Sequence, residues 1–341
     1  MHKHLDYDYE AQLEEIGRKA RIKNLGRSRT KSNGKRSAKK EAAPAIAALE
    51  NPPEEFKFSY EAKLHEGAWI HAALNGFYEQ MIDDVLRVIR GGKEASVYQC
   101  LASPAVGAPY LAAKIYRPRM FRNLKNDHIY REGRGELDAS GNLITNDGML
   151  YAIRKRTRYG LELQHTSWIN HEYKTLQMLH AAGADVPKPY ASGHNTILME
   201  FIGGEDTAAP TLNGIDLPRA EASDLFERVL HNIQIMLEHN RIHGDLSAYN
   251  ILYWEGEIKL IDFPQAIEPQ QNPNSFRIFE RDVIRICEYF ERQGVKANRR
   301  EIAANMWMDH HYRITPALDP RFLDAESDED RQLWDQMKDR T

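Results

Sequence analysis

The sequence predicts an α+β fold in two unequal lobes, and three observations carry that reading. Segments with strand character cluster between Val85 and Tyr116, long segments with helical spacing dominate from Trp168 onward, and one short hairpin interrupts the helices. Strands and a single helix therefore precede a mostly helical half, unlike the regular alternation of a doubly wound sheet. The 341 residues are enough for one bilobal unit. A cleft between lobes is the natural place for a ligand.

In chain order, the first segment is a basic arm. The chain as a whole carries 46 Lys+Arg against 50 Asp+Glu, a formal net charge of -4. Yet no acid occurs from Ile16 to Lys40, and Arg18, Lys19, Arg21, Lys23, Lys39 and Lys40 are among its cations. Its apolar residues are too few for a core, so residues 1–50 read as a disordered arm suited to phosphate backbones or to solubility. Residues 51–84 read as an extension packed on the next domain, entered through the stiff Pro52-Pro53 pair. No apolar h-region precedes the arm and no stretch approaches a membrane span, which points away from secretion and membranes and toward the cytoplasm. Cys100 and Cys287 form no CxxC pair and read as small buried hydrophobes of a reducing compartment. His310 and His311 lack the spacing of a metal motif.

The first lobe, residues 85–199, opens with strands VLRVIR, ASVYQCL and YLAAKIY. A polar stretch from Arg117 to Gly148 follows, long for a loop and so either functional or mobile. Helical spacing then links Trp168, Glu172, Leu176 and Leu179, with Gly183 to end the helix. TILMEFI reads as a buried strand. The second lobe, residues 200–295, carries an amphipathic helix from Leu217 to Asn240, the hairpin ILYW–EG–EIKLI, and a helix over FRIFERDVIRICEYF. Residues 296–341 read as a helical extension that becomes irregular.

Several polar residues fit this plan badly unless they act together. Gly91 and Gly92 in GGKEASVY make a tight turn whose backbone N–H groups, with the Ser96 hydroxyl, suit phosphate oxygens. Such a turn is also an ordinary hairpin. Lys114 interrupts an apolar strand, and Glu172 lies on an inward helical stripe. A buried lysine needs an anion and a buried glutamate needs a cation, so each explains the other. A lysine held in this way can orient nucleotide phosphates. In RIHGDLSAYNILYWEGEIKLID, Asp245 is followed five residues later by Asn250, and Asp262 closes the strand. Asp245 can accept or align a hydroxyl proton. Asn250 and Asp262 offer the oxygen ligands that Mg²⁺ prefers. The competing reading is turn chemistry, where Asp and Asn are common.

HGDLSAYN resembles the catalytic loop of protein kinases, and together with GGKEASVY and LIDFPQA it is similar to the atypical RIO kinase family, closest to the RIO1 branch. The resemblance runs from about Val85 to Phe290. It implies a bilobal protein-kinase-like fold with a β-rich N-lobe, a larger helical C-lobe and no long activation segment. It also implies ATP as cofactor, with Mg²⁺ or alternatively Mn²⁺. On this resemblance, Gly92, Lys93, Glu94, Ser96 and Val97 form the phosphate-binding turn. Lys114 orients ATP with Glu172 as its partner. Met199, Glu200, Phe201 and Ile202 form the hinge that holds adenine. Asp245 is the catalytic aspartate, Asn250 and Asp262 bind the metal, and His243 braces the loop. Pro264 stands where ordinary kinases carry glycine, which argues against a flipping loop. The family implies a non-specific serine/threonine protein kinase that phosphorylates proteins, itself included. It also implies a link to small ribosomal subunit maturation, for which the basic arm suits rRNA. Two other activities use the same groups: an ATPase that switches a ribonucleoprotein partner, and a small-molecule kinase.

Overall fold

Why strand and helix segregate is visible in where each buries its apolar side. The computed structural model describes residues 58–92, 94–117, 134–310, 312 and 331. The chain divides into Met1–Asn51 and Pro52–Thr341, and every described residue lies in the second unit. The expectations for the basic arm and for the end of the C-terminal extension fall outside the described residues.

The smaller lobe is a five-stranded sheet in the order β1-β2-β3-β5-β4. Its strands are β1 (Ile82–Gly91), β2 (Ala95–Ala102), β3 (Tyr110–Tyr116), β4 (Pro189–Ser192) and β5 (Thr196–Glu200), each paired antiparallel to its neighbours. β3 is central, so Lys114 lies between Val97 of β2 and Ile197 of β5 rather than on an edge. Helix α1 (Leu64–Leu74) covers the sheet with Ile70 and Leu74, which join Ile82, Val85, Cys100 and Leu111 in one core. The extension expected before residue 85 is thus this helix together with the start of β1. β4 was not anticipated. Pro189 opens it, and four half-buried residues give too short an alternation to read.

The stretch from Arg117 to Gly148 differs from expectation at its end. Residues 118–133 lie outside the described residues. Helix α2 (Asp147–Arg154) already begins within the stretch, with the Asn146 side chain accepting from the Met149 amide. Residues 134–144 are tied down by polar groups of helix α3 (Arg158–Ala181). Ser167 accepts from the Leu137 amide at 2.8 Å, Asn170 donates to the Asp138 carbonyl at 2.6 Å, and His171 meets the Gly135 carbonyl at 2.7 Å. α3 starts ten residues before Trp168. Thr157 caps it, and Gly160 lets it cross α2 closely, since a Cβ there would sit 2.0 Å from the Ala152 carbonyl oxygen.

The larger lobe packs α4 (Arg219–Glu238), α5 (Ser275–Arg292) and α6 (Arg299–Asp309) around one core that includes Val229, Ile233, Phe279, Val283, Ile286 and Phe290. The hairpin β6 (Ile251–Trp254) and β7 (Glu257–Leu260) turns through Glu255 and Gly256, both at positive φ, as a two-residue hairpin loop requires. The architecture is α+β, a sheet-built N-lobe followed by a helical C-lobe. Only residues 263–274 separate Asp262 from α5. Cys100 and Cys287 are both buried and free. No described helix is long and apolar enough to cross a membrane.

Candidate active site

The centre of the site is one ammonium. Lys114 Nζ lies 2.5 Å from Glu172 Oε1 and 2.5 Å from Asp262 Oδ1. The sheet supplies the lysine, α3 the glutamate, and the chain after β7 the aspartate. Lys114 is 11% exposed and Glu172 5%, while Asp262 is 45% exposed, so the trio is sealed on one side and open on the other. Burial alone would depress the Lys114 pKa; the carboxylates of Asp262 and Glu172 overcome it and hold the ammonium well above the ordinary lysine value. Burial would likewise raise Asp262, and Lys114 reverses that, keeping its carboxyl below the ordinary range. The Tyr116 hydroxyl donates to the second oxygen of Glu172. Behind it Tyr116 packs edge-on against Trp168 at 5.0 Å, in a small cluster with Ile169 and Ile197.

Asp262 itself has φ +74, a left-handed conformation that an Asp tolerates better than most residues. The backbone on either side is anchored. The Ile261 amide donates to the Asn250 carbonyl at 2.9 Å, and the Phe263 ring lies 4.7 Å from the His243 ring. The loop of Asn250 and the loop of Asp262 are therefore joined directly. Asn250 is buried, and its Nδ2 donates to the Asp245 carbonyl at 2.9 Å, which leaves its amide oxygen as a ligand atom. That oxygen and the free oxygen of Asp262 are hard donors beside a cleft, a set that suits Mg²⁺ with phosphate oxygens completing the shell. Among the described residues, no group of three or more His, Cys, Asp or Glu forms a metal site.

Asp245 stands in a different environment. Its side chain is 46% exposed, and its Oδ1 accepts from Arg285 Nη1 at 2.8 Å. The turn that presents it is held from below. Gly244, at φ +84, sits so close to Gln265 that a Cβ would lie 2.2 Å from the Gln265 carbonyl oxygen. The Gly244 amide donates to Asp282 at 2.8 Å, and Arg281 donates to the Gly244 carbonyl. His243 reaches the Ile261 carbonyl at 3.1 Å. Asp282 is 3% exposed, and burial raises its pKa above the ordinary value against the pull of Arg281.

The glycine turn closes with a hydrogen bond from the Gly92 amide to the Ala95 carbonyl at 2.9 Å. Lys93 lies outside the described residues. The Glu94 carbonyl accepts from the Arg117 amide. Ser96 is 3% exposed and accepts from Arg117 at 3.3 Å, so its hydroxyl is engaged inside the sheet, while Val97 faces Lys114 across the strand pair. Met199, Glu200, Phe201 and Ile202 run from the end of β5 into the second lobe, all half-buried. Met199 packs against both the C-lobe core and the Tyr116 cluster. Phe201 meets Tyr110 edge-on at 6.0 Å, and the Ile202 carbonyl accepts from the Ala209 amide.

Sequence reasoning missed Tyr116, Asp282 and Arg285. Asp282 was readable: it shares an inward helical stripe with Phe279, Val283 and Ile286, where a lone carboxylate is as anomalous as Glu172. Arg285 had no such signal, because an arginine on a half-exposed face is ordinary.

Residues 145–302 match the family model described as the RIO domain. The chain is 28% identical over 244 residues to the RIO-type serine/threonine-protein kinase Rio1 of Haloferax volcanii, covering 71% of this chain and 75% of that protein. It is 29% identical to the human serine/threonine-protein kinase RIO1, over 63% of this chain and 34% of that one. It is 27% identical to rio1 of Schizosaccharomyces pombe, over 62% and 39%. The chain thus spans three quarters of the archaeal relative but under half of these eukaryotic ones. Among solved structures it is similar to a Rio2 kinase from Chaetomium thermophilum in an ADP/Mg²⁺-phosphoaspartate complex, at 20% identity and a TM-score of 0.48, covering 78% of this chain and 74% of that one.

Proposed function

We propose that this chain, which matches the RIO domain over residues 145–302 and is similar to Rio1 kinases, is an ATP-dependent serine/threonine protein kinase acting on other proteins and on itself. One observation supports this above the rest: Lys114 is shared by Glu172 and Asp262. A structural ion pair needs one carboxylate. Two, one sealed and one open to the cleft, suit a lysine that must also meet an incoming polyphosphate. Glu172 fixes its direction, and Asp262 can turn from the lysine toward a metal.

In this reading the backbone of Gly92 to Val97 covers the phosphates, and Met199 to Ile202 hold the base. Asn250 and Asp262 hold Mg²⁺, which when bound neutralises charge at the bridging phosphates. Asp245 keeps Oδ1 on Arg285 and offers Oδ2 to the Ser or Thr hydroxyl. The hydroxyl oxygen bonds to the γ-phosphorus, the bond to the β–γ bridging oxygen breaks, ADP leaves, and the proton passes to Asp245. The half-exposed position of Asp245 suits a bulky acceptor. It suits water equally, so hydrolysis with a conformational output on a ribonucleoprotein is the second reading. Radiolabelled ATP with Mg²⁺ and the purified chain separates the two. Phosphoprotein is expected; free phosphate alone supports the ATPase, and neither product defeats both. We further propose that residues 1–50 bind rRNA. Deleting them is expected to lower RNA affinity and to flatten its salt dependence by slightly under one unit for each phosphate the arm neutralises.

A further inference from the structure

One residue before Glu172, the same helix lines a second cavity. It is an open hollow of roughly 320 Å³, counting the solvent at its mouth, between α3 and the chain that follows Asp262. Its polar lining is Arg134, His171, Thr175, Arg241, Glu268 and Gln271. Two guanidiniums, an imidazole, a hydroxyl and an amide thus surround a space with one carboxylate. That carboxylate is already engaged: Glu268 lies 3.1 Å from Arg241 and accepts from Gln271 at 2.5 Å. Arg134 reaches from the cavity to the Pro264 carbonyl at 3.4 Å.

The field inside is positive. Burial, together with Arg134, Arg241 and Lys174, drives the His171 pKa down to about 3, against the pull of the Gly135 carbonyl. Burial is the first reason a cation is disfavoured there, and the nearby guanidiniums add to it. Arginine forks pair with phosphate oxyanions as they do with carboxylates, and the one carboxylate here, Glu268, pairs with Arg241.

We propose that this cavity binds a phosphoryl dianion, either free phosphate or phosphate esterified to a Ser or Thr. Its two walls carry the two carboxylates that hold Lys114. His171 and Thr175 are on the helix of Glu172, and Ala266 to Gln271 continue the chain from Asp262. A dianion bridging Arg134, Arg241 and the α3 face ties these walls together and so fixes the Lys114 trio. That consequence for turnover rests on the kinase reading; the binding itself does not.

The test is thermal denaturation of the full chain, without nucleotide, against inorganic phosphate and a phosphoserine peptide with its unphosphorylated twin. A hundredfold excess of ligand over Kd is expected to raise Tm by about 5 °C. The rise is expected to vanish in the double variant R134Q/R241Q and to survive in Lys114→Met, which removes the cation of the nucleotide cleft. Gln271 is exposed, so Gln271→Glu and Gln271→Lys should fold; the first is expected to weaken the effect and the second to strengthen it. A peptide that outperforms phosphate identifies an esterified ligand, and equal effects identify the free anion. No rise, a rise equal in wild type and R134Q/R241Q, or Gln271 variants without opposite effects, overturns the site. The readout needs no phosphotransfer, so an inactive enzyme that still binds phosphate here defeats the kinase reading alone.

Discussion

The two ends of the active site are built on opposite principles. Lys114 and Glu172 are 11% and 5% exposed and meet inside a sheet–helix junction, backed by Tyr116 and Trp168. Asp245 and Arg285 are 46% and 40% exposed and meet at the rim, on a turn braced from beneath. A buried pair is costly to break because the surviving charge stays desolvated, whereas a rim pair is screened and cheap. The sealed end is therefore suited to a fixed task, orienting phosphates. The open end suits a task in which partners change, giving and taking a proton with each acceptor. Substitutions at the two ends should fail in different ways: stability at the first, rate at the second.

The largest effect is expected at the open end. Asp245→Asn keeps the shape and can still accept from Arg285, but it cannot take up a proton at working pH. Phosphoryl transfer should fall by roughly 10² to 10⁴-fold, the range of general base contributions, with ATP affinity and Tm near wild type. Single-turnover transfer and calorimetry would check both halves. Near wild-type transfer would remove Asp245 from the chemistry.

At the sealed end Lys114→Met leaves Glu172 buried without its cation. Unfolding free energy should drop by about 3–5 kcal/mol, read from denaturant midpoints, and nucleotide binding should be lost with it. If the variant is as stable as wild type, the pair is not held as tightly as its burial implies, and the contrast between the two ends collapses.

The sealed end was legible in the sequence and the open end only half so. Lys114 in an apolar strand and Glu172 on an apolar stripe are each anomalous, and the anomaly points to the partner. β3, the hairpin after Asn250 and the two long C-lobe helices were legible because their periods match their surfaces. What stayed hidden lacks a local pattern. Asp262 reaches Lys114 through tertiary placement and an unusual left-handed backbone that no spacing announces. Asn146 starts α2 inside a polar stretch, where the cap is clear but the amphipathic run that follows it is only eight residues long. Residues 134–144 are held by Ser167, Asn170 and His171 on the polar side of α3, and polar spacing on a helix normally means solvent.

That same polar face gives a pH test of smaller size. His171 is neutral in the fold because burial and the cations Arg134, Arg241 and Lys174 push its pKa to about 3, below the ordinary 6.5. The unfolded chain then binds one more proton than the folded chain between those values. Stability from this group is full above pH 6.5 and is lost as pH falls toward 3, at roughly 1.4 kcal/mol per pH unit. His171→Gln should flatten the acid limb of a stability–pH curve by about that slope. An unchanged limb would mean that His171 titrates as it does in solvent.

The smallest effect on stability, and the one that most sharpens the comparison, is expected from Arg285. Its pair with Asp245 is exposed on both sides, so Arg285→Ala should change unfolding free energy by no more than about 1 kcal/mol. Its contribution is orientation. With Oδ1 fixed on the guanidinium, Asp245 presents Oδ2 in one direction; without it, the carboxylate rotates. Losing a charge-assisted hydrogen bond of about 1.5 kcal/mol corresponds to roughly a tenfold fall in transfer rate. Arg285→Lys keeps the charge but lacks the planar fork, so it should recover stability fully and rate only in part. If Arg285→Ala slows nothing, the rim pair is incidental to the chemistry. If it unfolds the protein instead, the rim behaves like the sealed end and the distinction between them fails.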